Sequence, residues 1–115
     1  MTAIVVAVAL AVLFVLSGAT KVLRHPISVV ARDKLAVPAT SWSLLGCAEI
    51  AGAAGVLVGL RVRPIGIAAA IGLVLVGLGA VGAHRRAHDA LTETAPAVVA
   101  LVLATAAVVL FGTGQ

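Results

Sequence analysis

Charge is what this sequence has least of. Only 10% of its 115 residues are Asp, Glu, Lys or Arg, against about 25% in an ordinary soluble domain. Aromatics are scarcer still, at 3%: two Phe, one Trp and no Tyr. The single cysteine, Cys47, excludes an intrachain disulfide and any CxxC pair for redox or zinc chemistry. It lies in an apolar run and is expected to be a small buried side chain. Basic runs never exceed Arg85-Arg86 and no basic–aromatic alternation occurs, so nucleic acid is not an expected partner despite a net charge of +4. The chain also shows no nucleophile–base arrangement and no phosphate loop. His84 and His88 stand at i, i+4, but no carboxylate or cysteine set completes a metal site beside them. No catalytic residues are therefore assigned.

What fills the sequence instead is apolar. Hydrophobic residues make up 63% and the mean hydropathy is +1.26, where soluble domains hold about 45–50% apolar residues. Too few polar residues remain to cover the outside of a water-soluble fold. The solvent around most of the chain must be lipid.

Charges fall at the ends of apolar runs and divide the chain into four spans, at about residues 2–24, 41–60, 64–84 and 96–111. A run of about 20 residues rises about 30 Å as a helix and so crosses a hydrocarbon core. Strands are not expected, because the runs lack period-2 alternation. Ser17, Gly18 and Ala19 resemble a cleavage site, but Met1-Thr2-Ala3 carries no basic residue, so the first run is expected to stay as a helix. Between the first two spans, Pro26 suits a first helical turn, and Ile27, Val30, Ala31 and Leu35 fall opposite Arg32, Asp33 and Lys34. That pattern predicts a short amphipathic helix on the membrane surface, ended by Pro38. Trp42 is placed as an interfacial anchor at the start of the second span. The Arg61–Pro64 connection is short enough to force an antiparallel hairpin, 84–94 reads as a polar loop, and Pro96 opens the fourth span. The fold class is thus all-α: a single transmembrane domain over 1–115, an antiparallel four-helix bundle with one interfacial helix.

Lys21, Arg24, Arg32, Lys34, Arg85 and Arg86 lie on one face, and Arg61 and Arg63 on the other. The positive-inside rule puts segments 21–40 and 84–94 in the cytoplasm and both termini outside, in a multi-pass protein of the cell membrane. Gly46, Gly52, Gly55, Gly59, Gly72 and Gly79 are candidate helix-packing positions, and their abundance would also suit a homo-oligomer.

Glu49 is the exception to the apolar pattern. A carboxylate near the centre of a span costs about 2.5–3.5 kcal/mol on insertion scales, so it should face the bundle interior and a partner. Depth singles out Lys21 near the end of the first span and His84 at the end of the third. These three residues form either a structural ion pair with a polar cap or a pocket for a quinone head group, a lipid or a proton. Alternatively, Lys21 snorkels to water and Glu49 stands alone. No metal is expected, and a quinone or lipid is the one ligand class the pocket suggests.

Several of these residues also form a recognisable set. Gly18-x-x-Lys21 closes the first span, Leu45-Gly46-x-x-Glu49 lies early in the second, and Gly55 and Gly59, His84 and Pro96 follow. In these motifs the chain resembles the DoxX-like family of small four-helix membrane proteins over essentially its whole length. The resemblance implies a Lys and a Glu inside the membrane, and association with quinone-linked or oxidative-defence redox assemblies. The cysteine pairs of quinone-reductase-like relatives are missing, which argues against thiol chemistry. Two functions follow as expectations: an accessory or scaffold subunit docking a redox partner, or a quinone- or lipid-binding protein using Lys21, Glu49 and His84. A transporter, third, would need an oligomer.

Overall fold

A computed structural model describes residues 1–114. Five helices account for nearly all of them: α1 (Thr2–Val22), α2 (Pro26–Leu35), α3 (Ala39–Val58), α4 (Arg63–Arg86) and α5 (Leu91–Gly112). Of these, α1, α3, α4 and α5 are long and apolar enough to cross a membrane. Their outward faces carry exposed Val, Leu and Ile along the whole length of the bundle, as a lipid-facing surface requires.

The spans close into a ring in which α1 packs on α3 and α5, and α4 packs on α3 and α5. Alternate spans run in opposite directions. Ala3, the Gly59–Arg63 turn and Phe111 gather at one end, while Lys21, Trp42, His84 and Pro96 border a cavity at the other. The ring's interior is mostly alanine and aliphatic side chains with two phenylalanines, built on Leu10, Phe14, Ala53, Val56, Leu73 and Phe111. With little bulk at the contacts, backbones approach closely, which is how helices associate where lipid removes the hydrophobic drive.

Backbone chemistry sets the helix ends. Arg24 turns left-handed (φ 56°) after α1, and His25 then caps α2, its Nδ1 accepting from the Ile27 amide at 3.3 Å, with Pro26 in the first turn. Left-handed Ala36 stops α2. Pro64 sits in the first turn of α4.

Several expectations need correction. The fourth span starts at Leu91, not at Pro96, so residues 91–94 are helical and Pro96 lies inside α5. Helix α4 likewise runs on to Arg86, leaving a connection of only 87–90 in place of a polar loop over 84–94. Left-handed His88 and the Asp89 amide bonded to the His84 carbonyl make that turn tight. The amphipathic face of α2 divides differently: Ser28 and Leu35 are buried on the bundle, while Ile27 and Val30 are 75% and 67% exposed. Cys47 is exposed, because it points away from the α1 and α4 contacts of α3. Trp42 is buried, not spread at the interface, because its ring fills the space between Lys21 and α2.

Candidate functional site

The site begins with two glycines. A Cβ on Gly46 would lie 2.7 Å from the Gly18 carbonyl oxygen, and one on Gly18 would lie 2.6 Å from the Gly46 oxygen. No larger residue fits at either position, so the end of α1 lies directly against the first turns of α3. Three residues on from each glycine, almost one helical turn, stand Lys21 and Glu49. The two Gly-x-x motifs thus act as spacers that deliver one charge from each helix to the same point.

There Lys21 Nζ meets Glu49 Oε1 at 2.7 Å and donates to Ser17 Oγ at 2.6 Å. The ammonium also lies 5.0 Å from the centroid of the Trp42 ring, a cation–π distance. Trp42 is fixed in turn by its indole N–H, which donates to Ser28 Oγ at 2.6 Å and ties α3 to α2. Glu49 is only 2% exposed, and its second oxygen, Oε2, has no hydrogen-bond partner among the described residues. Lysine carries three N–H donors and Ser17 takes one in hydrogen-bond alignment, so donor capacity remains on Lys21 beside its ion pair with Glu49.

Beside this pair lies a cavity of about 640 Å³. Its polar wall holds Ser17, Lys21, Glu49 and His84, and the rest is aliphatic or aromatic, including Phe14 and Trp42. This size and this mix of a few polar groups in apolar walls are typical of small-molecule sites.

His84 lines the cavity but does not join the Lys21–Glu49 pair. Its Nδ1 lies 2.5 Å from Asp89 Oδ2 across the α4–α5 turn. Lys34 of α2 forms an ion pair with Asp89 Oδ1, a contact outside hydrogen-bond alignment, and meets Glu93 Oε2 at 2.5 Å. Contact with the Lys34 ammonium, and next with His84, lowers the Asp89 pKa from 3.8 to about 2. The same contact with Asp89, followed by that with Glu93, raises the pKa of Lys34 above 10.5. This network went unread in the sequence, because Lys34 and Glu93 are 59 positions apart. The one available signal was the position of Asp89 among basic residues and histidines.

Of the six candidate packing glycines, Gly46, Gly52, Gly55 and Gly59 face close neighbours on adjacent helices. Gly72 and Gly79 do not: a Cβ at either would meet nothing within 4 Å. Gly18, Gly66 and Gly77 make the close approaches that the sequence reading left out.

No curated protein and no solved structure matches the chain. A family model, described as the DoxX-like family, matches residues 5–107 and so takes in part or all of each helix and every residue of the site. With four membrane-length helices arranged around a buried lysine–glutamate pair, this small integral membrane protein belongs to the DoxX-like family.

Proposed function

We propose that the protein is a membrane-embedded binding protein whose Lys21–Glu49 pocket holds the polar head of a lipid-phase molecule, a quinone or a lipid. One observation carries this reading: a carboxylate oxygen, Glu49 Oε2, is buried without a hydrogen-bond partner among the described residues, on the wall of a cavity of about 640 Å³. Buried polar atoms are nearly always paired, and an orphan beside an open volume is a place for a ligand to supply the pair. A purely structural ion pair needs no such volume next to it. The remaining donor capacity of Lys21 suits an oxygen acceptor, and Oε2 suits a hydroxyl donor. A quinol or a lipid hydroxyl offers both, while the carbonyl oxygens of a quinone can only accept, from Lys21.

An accessory place in a membrane redox or oxidative-defence assembly agrees with this chemistry, since a subunit that holds a quinone serves a partner that oxidises or reduces it. Family membership and the small surface outside the spans support that setting. Mass spectrometry of small molecules co-purified in mild detergent tests the binding role. A stoichiometric lipophile that is lost in Glu49→Gln is expected. Equal ligand content in wild type and Glu49→Gln would remove the pocket from the function.

A further inference from the structure

The cavity has a mouth, and its place in the fold says how a ligand would enter. Helices α3 and α4 are in close contact from the Gly59–Gly66 crossing as far as Gly52, where a Cβ would run into Leu73. One turn beyond, the contact ends. Ala48 is exposed on α3 and Leu45 only half-buried. Across from them, Leu75 is 64% exposed and Gly79 is also exposed, yet both line the same cavity as Glu49 and Lys21. A residue belongs to both the inner wall and the outer surface only where the two meet. At Gly79 no side chain narrows the gap, and a Cβ there would touch nothing.

This opening lies partway along two membrane-crossing helices and therefore faces acyl chains. The water-side approach is obstructed. Leu35, Val37 and Trp42 form the wall beneath α2, and α2 is tied down through Lys34 to Asp89 and Glu93 and through Ser28 to Trp42. Pro96, the remaining exposed wall residue, sits one turn from Glu93 at that tied end.

We propose that the slot between α3 and α4 is a lateral entrance for a single-tailed amphiphile: the oxygenated head lodges at Lys21 and Glu49, and the tail leaves between Leu45/Ala48 and Leu75/Gly79 into the bilayer. This rests on the head-group reading above and adds the route and the tail. One gap between two helices passes one chain, and its walls offer that chain only aliphatic contacts. The polar end, with donor capacity left on the ammonium and one unpartnered carboxylate oxygen, recognises the head.

The sole tryptophan, Trp42, is part of the cavity wall, so its fluorescence reports occupancy. The probes are a fully substituted benzoquinone carrying a decyl chain and the same ring carrying a methyl group in its place. Both are titrated against the whole chain in nanodiscs. Gly79→Leu puts a side chain into the slot where a Cβ has room, and Gly72→Leu, whose Cβ is equally free on α4 but lies outside the cavity wall, is the control. The expected result is tenfold or greater weakening of the decyl probe in Gly79→Leu, about 1.4 kcal/mol or more, with the methyl probe and Gly72→Leu unchanged. Unaltered decyl binding in Gly79→Leu, or equal loss of both probes, would overturn the lateral entrance while leaving the pocket intact as a head-group site. Absence of quenching by either probe in wild type, with no co-purified lipophile, would instead remove the head-group reading and the entrance with it.

Discussion

Lys21 is held from three directions, by a serine on its own helix, a carboxylate on α3 and the face of an indole. Each contact offsets part of the cost of drawing an ammonium out of water, and none alone would be enough. The pair is therefore expected to behave as a unit. In Lys21→Met a buried carboxylate is left with no partner, a change that typically costs about 3–5 kcal/mol, whereas removing both charges is often nearly neutral. Lys21→Met should melt well below wild type in detergent, and Lys21→Met/Glu49→Gln should recover most of the difference. Equal melting temperatures for the single and double variants would show that the contact carries no coupling.

At the scale of the element, α2 is the part of the molecule that its own sequence does least to fix. Ten residues are too few for a stable isolated helix. It is anchored by Leu35 and Ser28, which are buried, and by the ammonium of Lys34 between Asp89 and Glu93. The pH dependence of that anchor follows from the two shifts. The folded value of Asp89 is depressed, so its contribution is complete above the ordinary carboxylate value of 3.8 and is lost as pH falls toward about 2. Lys34 is raised, so its contribution is complete below 10.5 and fades only in stronger alkali. Between these limits Lys34 and Asp89 both keep their charges. Asp89→Asn should therefore melt lower than wild type at neutral pH, and the gap should close as pH approaches 2. A gap independent of pH over that range would mean that the carboxylate charge is not what ties α2 down.

For the whole molecule, the ring of four spans puts the α3–α4 turn beside Ala3 and Phe111, and puts α2 and the α4–α5 turn together at the opposite end. Six of the eight Lys and Arg residues belong to that second end, which the positive-inside rule assigns to the cytoplasm. A cysteine placed at Arg86 in a Cys47→Ser background should react with a membrane-impermeant maleimide only after lysis. Labelling of intact cells would invert the topology.

Much of the fold was legible because hydropathy and charge are properties of short stretches of chain. Runs of about 20 apolar residues bounded by Lys and Arg admit one structure in lipid, whatever the neighbours do. Glu49 was visible for the same reason, as one acid in a long uncharged run. The boundaries around Pro96 were misread because a proline on the sixth residue of α5 looks, in sequence, like one that opens a helix. Trp42 and Cys47 were misplaced because the run they share says how deep each lies but not which way each faces.

Composition and the spacing of charges are enough to put the chain in a bilayer, to say how many times it can cross, and to mark which side chains cannot be left facing lipid. Those are energies of transfer, and each depends on a residue and its immediate neighbours. It takes the packed bundle to show that Glu49 meets Lys21 and not His84, that Lys34 reaches across to Asp89, and that α3 and α4 part beyond Gly52. Those outcomes turn on how closely two backbones approach and at what angle they diverge, and no single helix carries that information.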